Sequence, residues 1–130
     1  MNQNLVNIAL VVRDYDEAIN FYVNKLNFEL IEDVNQTEEK RWVIVAPKGN
    51  GNCSLLLAKA VNDEQKSRIG NQTGGRVFLF LHTDNFERDY TNLLNHKINI
   101  VRKPKVEPFG KVCVFKDLYG NLWDLIEPKK

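Results

Sequence analysis

Cysteine is scarce in this chain of 130 residues: only Cys53 and Cys113 occur, far apart and outside any Cys-x-x-Cys pattern. That excludes a disulfide scaffold and a thiolate metal knuckle, and two free thiols fit a reducing compartment. An excess of one charge is also missing, since 18 Lys and Arg nearly cancel 17 Asp and Glu. No block of like charge appears, so the footprint expected for nucleic acid or an anionic membrane is absent. The longest apolar runs, such as Val77 to Leu81, are strand-sized. They fall well short of the roughly 20 residues that span a bilayer. No basic stretch precedes the first apolar segment, so a secretory signal is not read and a cytoplasmic location is expected. The glycines form neither a Gly-x-Gly-x-x-Gly nor a Walker loop, and there is no Gly-x-Ser-x-Gly elbow.

What remains is a globular balance, 43% hydrophobic and 27% charged, at a length that builds its own core. The first apolar, β-branched segment, Leu5 to Val12, predicts a buried strand. Asp14 with Glu17 three residues later makes a capping-box pattern, and Tyr15, Ala18, Ile19, Tyr22 and Leu26 give the following helix one apolar face. Asn27 is suited to end that helix in the left-handed conformation. Three strands are predicted next, over Phe28 to Val34, Arg41 to Ala46 and Cys53 to Ala60, with a turn at Pro47-Lys-Gly-Asn-Gly-Asn52. Residues 61–75 are polar, end in Gly74-Gly75 and read as a connector.

The same order then begins again. Arg76 to Thr83 predicts a strand, Asp84 or Asn85 caps a helix carrying Phe86, Tyr90, Leu93 and Leu94, and strands follow at Ile98 to Arg102, Lys111 to Phe115 and Leu122 to Ile126. Gly51-Asn-Cys-Ser-Leu-Leu56 matches Gly120-Asn-Leu-Trp-Asp-Leu125, and Asn7 to Val12 matches Phe78 to Thr83. The offsets nearly agree, 120 − 51 = 69 against 85 − 14 = 71 for the two helix starts. A duplicated β-α-β-β-β unit is the simplest account. One helix covers one face of a four-stranded sheet. The second face must meet another sheet, another chain or a ligand. The expected architecture is therefore α+β: two βαβββ modules, about 1–60 and 76–130, forming curved mixed sheets around a cleft within a single domain spanning 1–130.

The opening Asn7-Ile-Ala-Leu-Val-Val-Arg-Asp-Tyr-Asp-Glu-Ala-Ile-Asn-Phe-Tyr22, with Lys25-Leu-Asn-Phe28, resembles the first signature of the glyoxalase/bleomycin-resistance/extradiol-dioxygenase group, the vicinal oxygen chelate superfamily. Phe115-Lys-Asp-Leu-Tyr-Gly-Asn-Leu-Trp-Asp-Leu-Ile126 resembles its closing signature. The segment Gly70 to Asp84 resembles the second-module opening of a bacterial subgroup of largely uncharacterised members. The resemblance implies paired modules, often in homodimers, with a site inside each concave sheet. In the group's enzymes a divalent metal sits there, held by His, Gln or Glu at four positions. Carried over residue by residue, those positions are Asn7, Leu55, Phe78 and Asp124. Leu55 and Phe78 have no donor, Asn7 offers a weak amide oxygen, and only Asp124 is a strong ligand. No bound metal is therefore expected, with a divalent ion as the alternative.

Strand alternation places Asn7, Ala9 and Val11 on the cavity side of the first strand, and Phe78, Phe80 and His82 on that of the second module's first strand. Leu122, Asp124 and Ile126 share one face of the last strand. The candidate ligand-binding residues are Asn7, Phe78, Phe80, His82, Asp124 and, from the Glu107-Pro-Phe-Gly110 loop, Phe109. Each has a second reading. Asp124 is equally a carboxylate bonded to Asn7 or to a neighbouring strand, and Phe109 a rim residue. His82, the weak candidate for an acid or base, reads first as a strand-end histidine bonded near the helix cap at Asp84. A Cys113–His82 nucleophile pair is conceivable, but no spacing argues for it. The function expected first is binding of a small molecule in an apolar, aromatic cleft without a catalytic metal. The alternatives are a metal-dependent lyase, isomerase or dioxygenase, or a metal-free enzyme using His82.

Overall fold

A computed structural model describes residues 1–49 and 51–130. The predicted turn from Pro47 to Asn52 includes Asn50, which lies outside the described residues. The chain divides into two compact units, Met1–Ile69 and Gly70–Lys130.

In the first unit β1 (Asn7–Val12) leads into α1 (Tyr15–Ile19), and β2 (Glu29–Asn35), β3 (Arg41–Ala46) and β4 (Ser54–Lys59) follow. The helix starts where the sequence says it should: the Asp14 carboxylate accepts from the Glu17 amide at 2.8 Å. It does not stay α-helical. Residues Asn20–Lys25 form a π-turn, with the Leu26 amide donating to the Phe21 carbonyl five residues back. The extra residue in this turn buries Phe21 beside Tyr22, a neighbour that a strict 3.6-residue period would place elsewhere. Their rings meet edge to face, with centroids 5.0 Å apart. Asn27 then turns the chain with φ 65°, as its amide side chain tolerates, and the Phe28 amide donates to Tyr22.

The strand order is β1-β4-β3-β2, with β1 parallel to β4 and the rest antiparallel. Leu10, Val12, Val43, Val45, Leu55 and Leu57 are buried on the helix side with Ala18 and Tyr22. Burying each of these Leu and Val side chains stabilises the fold by about 1.5–3 kcal/mol. Every residue of the edge strand β2 is exposed, and Glu29, Glu32 and Asp33 guard that edge against pairing with a further strand. Arg41 fastens β3 to its surroundings: its guanidinium donates twice to Asp33 and once to Asp16, and lies 5.2 Å over the Tyr15 ring.

Within the segment read as a connector, a short helix, α2 (Asp63–Ser67), is capped by the Asn62 side chain. The second unit then repeats the first. It runs β5 (Val77–His82), α3 (Phe86–Asn95), β6 (Ile100–Glu107), β7 (Gly110–Lys116) and β8 (Leu122–Pro128), in the order β5-β8-β7-β6. The observed architecture is thus α+β, two four-stranded mixed sheets with the same topology. Of the two expected caps Asn85 serves, its side chain accepting from the Arg88 amide at 3.1 Å. The helix ends at Lys97 with φ 55°. That is the counterpart of Asn27, and Ile98 is buried as Phe28 is.

The sequence places a strand at Ile98 to Arg102, but β6 starts later and continues through Pro104 to Glu107. Proline stops a central strand because it donates no ladder bond. On an edge it costs little, and β6 is an edge with bulges between Ile100 and Lys105. Two close approaches fix the turns. Any Cβ at Gly110 (φ 152°) would lie 2.3 Å from the Glu127 carbonyl oxygen. The buried Asp117 carboxylate accepts from the amides of Tyr119, Gly120 and Asn121, each at 2.9 Å, and so shapes the turn before β8.

Candidate functional site

Phe80, His82 and Asp124 of the second unit fall on the sheet face turned away from α3. Register decides which side chains share it. Phe80 pairs with Asp124 and His82 with Ile126 across the parallel β5–β8 ladder. Asp124 pairs with Val114 on β7, and Val114 with Arg102 on β6. One row therefore crosses the sheet: Phe80, Asp124, Val114, Arg102. On the other face Cys113, Phe115, Trp123 and Leu125 are buried beneath α3, with Leu79 and Leu81 half-buried beside them, and Phe115 and Trp123 stack at 6.0 Å.

Phe80 is 64% exposed and His82 is exposed, an unusual setting for an aromatic ring in the middle of a strand. Phe78 departs from simple alternation. The ladder passes from Val77–Leu122 directly to Leu79–Trp123, so Phe78 is the extra residue of a bulge and is half-buried. The alternation expected for β5 therefore applies to Phe80 and His82 but is interrupted before them, and Val77 rather than Phe78 stands in register with Leu122.

Asp124 carries the unusual chemistry of this face. Among the described residues, its Oδ1 is the buried side-chain oxygen left without a hydrogen-bond partner. Burial pushes its carboxyl above the ordinary range, and the positive charge of Arg102 pulls it part of the way back. An unmet buried acceptor costs about 1–3 kcal/mol. Such a cost calls for a reason.

Phe109 lies elsewhere. It occupies the two-residue turn between β6 and β7, is 58% exposed, and its carbonyl accepts from the Lys129 amide. The adjoining Gly110 pairs with Pro128, four positions past Asp124 on β8. At ~3.3 Å per residue that is ~13 Å from the Phe80–Asp124 row. At the start of α3 the hydrogen bonds join Thr83, Asp84, Asn85, Arg88 and Asp89, and Glu127 accepts from the Phe86 amide. His82 takes no part in those bonds. A Cys113–His82 pair is excluded, because the two side chains stand on opposite faces of the sheet. Burial, helped by the Asp124 charge, also pushes the Cys113 thiol up to about 12, far from a reactive thiolate.

In the first unit Asn7 opens β1, half-buried, and pairs with Ser54. Ala9 pairs with Leu56, and Val11 with Ala58, on the face away from α1. Leu55 pairs with Ile8 and is buried on the helix side. The position carried over as Leu55 is thus corrected by one residue: Leu56 and Ser54 are the side chains that share a face with Asn7. Trp42, which alternation alone leaves facing either way, joins that face next to Ile44, the partner of Leu56.

A profile of the Glyoxalase/Bleomycin resistance protein/Dioxygenase superfamily matches residues 4–125. The chain belongs to this superfamily. An uncharacterized protein of Shewanella frigidimarina (strain NCIMB 400) is 60% identical over 128 residues, which span 98% of this chain and 95% of that one. Among solved structures, UcmS2 is 29% identical with a TM-score of 0.84, over 98% of this chain and 99% of that one. TnmS3, an antibiotic binding protein from Streptomyces sp. CB03234, is 28% identical with a TM-score of 0.78, over 98% of both chains.

The metal that serves this superfamily's enzymes finds a poor donor set. At the positions implied by the resemblance, Phe78 and Leu55, or Leu56 in its place, contribute only carbon, and Asn7 a neutral amide. Asp124 is a single carboxylate with a cation, Arg102, nearby to compete for it. Hard divalent ions need several oxygen or nitrogen donors at once. These residues do not fit one. Sequence reasoning missed Arg102 and the Phe78 bulge, because both depend on inter-strand register. Only the lone Arg at the end of a predicted strand hinted at the first.

Proposed function

We propose that this protein binds a small organic molecule on the helix-free faces of its sheets and recruits no catalytic metal for the purpose. One observation carries the reading: an exposed aromatic ring, Phe80, stands in register beside a carboxylate with an unmet oxygen. Apolar walls with a few converging polar groups are the makeup of ligand sites. The antibiotic-binding TnmS3, similar along its whole length, supports the same class of function. We expect Phe78, Phe80, His82 and Asp124 to respond to a ligand on the second sheet, Asn7 to one on the first sheet, and Phe109 only to one reaching the β6–β7 turn. A homodimer belongs to this proposal, joined through apolar side chains such as Leu30, Ile31 and Val34 and not by strand pairing at the charged β2 edge.

A thermal-shift screen of aromatic metabolites and glycopeptide antibiotics tests it. A ligand at 100 times its Kd adds about 2.7 kcal/mol to stability. For this chain length that raises Tm by about 10 °C. A screen without a single hit would count against binding. Elemental analysis after reconstitution with manganese or zinc should find no stoichiometric ion. A tightly held ion would favour a metal-dependent lyase, isomerase or dioxygenase instead.

A further inference from the structure

Resting on the homodimer of that reading, we infer that the acidic β2 edge of one copy docks, side chain to side chain, on the basic β6 edge of a second copy. The two edges hold equivalent places, each the outermost strand of a four-stranded sheet with the same strand order. Their charges are opposite. Residues 29–39, which cover β2 and the turn after it, carry five carboxylates and no cation. Residues 97–106, which lead into β6 and run along it, carry four cations and no carboxylate. Asp33 is committed to Arg41, and Lys105 reaches Glu107 at 3.1 Å. Glu29, Glu32, Glu38 and Glu39 on one side, and Lys97, Arg102 and Lys103 on the other, form no salt bridge among the described residues.

Neither edge is covered by its own chain. Every residue of β2 is exposed, and so are Val101, Arg102, Lys103, Lys105 and Val106 on β6. Whatever meets them comes from outside. Both edges also mix charge with exposed apolar side chains, Leu30, Ile31 and Val34 on β2, and Val101 and Val106 on β6. In such a surface apolar burial supplies affinity, and the charges choose the partner and its register.

A second copy is the partner these edges fit, because one chain carries both members of the complement. Docking β2 on β2, or β6 on β6, would set like charges against each other. Docking β2 on β6 matches them. A two-fold axis makes that contact twice and closes the assembly at two copies. The contact is not a continuous ladder. β2 is bulged between Leu30 and Glu32, and β6 between Ile100 and Lys105. Pro104 in β6 also has no amide to donate.

Charge reversal tests the inference, read by sedimentation of the full chain in 0.1 M salt, where charges act over about 10 Å. One variant combines Glu29→Lys with Glu32→Lys, the other Lys103→Glu with Lys105→Glu. All four residues are exposed, so the core is spared. Each variant alone now sets like charges together at both contacts, and its dimer Kd should rise about a hundredfold or more. An equimolar mixture of the two should recover a heterodimer, since the basic edges of one meet the acidic edges of the other. A variant that had merely misfolded would not recover. An unmodified protein that dimerises, with both variants dimerising equally well, would overturn the edge contact and leave the homodimer standing. So would variants that stay monomeric when mixed. An unmodified protein that is monomeric up to millimolar concentration would overturn both, while small-molecule binding keeps its own test in the thermal-shift screen.

Discussion

Replacing Asp124 by Leu should make the free protein more stable, and the gain should depend on pH. In the native sheet Asp124 sits between Leu122 and Ile126 along β8 and beside Val114 on β7, with Oδ1 buried and unpaired. An orphaned acceptor costs about 1–3 kcal/mol. The lower end applies because the residue is only half-buried, so the expected gain is about 1 kcal/mol. With an unfolding entropy of about 2.1 cal/mol/K per residue, the Tm should rise by about 4 °C. The sign of the pH effect follows from the raised carboxyl pKa. A carboxyl held above its unfolded value binds more protons in the native state. Its contribution to stability is therefore complete below the unfolded value near 3.9 and is lost as pH rises through the folded value. Asp124→Leu should thus show its full advantage at neutral pH and little or none in acid. Urea denaturation of both proteins across this range, with the m-value unchanged, measures it. A variant less stable than the parent at neutral pH would refute the reasoning. A gain of the same size at every pH would refute it too, since it would then reflect added apolar packing alone.

Other consequences can be measured directly. Gly110→Ala should destabilise the second unit by about 2–4 kcal/mol, because the new methyl meets the Glu127 carbonyl at 2.3 Å in a left-handed backbone conformation. Equal denaturation midpoints for the two proteins would show that β7 and β8 can separate freely there. Cys113, buried and with its thiol pushed up to about 12, should resist a thiol reagent at neutral pH until the protein unfolds. Cys53, half-buried, should react first, and mass spectrometry of partly labelled protein would identify the site.

Much of the fold was legible because it is written in local signals. Asp14 and Asn85 announce helix starts through short side chains that accept backbone amides, and Asn27 marks a left-handed stop. β3 begins and ends where its apolar run does. The π-turn at Asn20–Lys25 was not legible, since the extra residue is accommodated by the packing of Phe21 and Tyr22. The length of β6 was hidden by Pro104, whose effect depends on whether a neighbour claims that side of the strand. In the site, Phe80, His82 and Asp124 could be assigned to one face because alternation has a period of two. The same rule failed at Phe78, where a bulge resets the count, and at Leu55, where an alignment error of one residue moves a side chain to the opposite face.

The sequence alone therefore determined the duplicated β-α-β-β-β order, the helix starts at Asp14 and Asn85, and the left-handed stop at Asn27. All three depend on residue type and spacing within short stretches of chain. Only the tertiary structure decided that Phe80, Asp124, Val114 and Arg102 form one row, that Cys113 lies on the opposite side, and that one oxygen of Asp124 is buried without a donor. Those facts depend on the register between strands distant in sequence and on what the packed neighbours fail to supply.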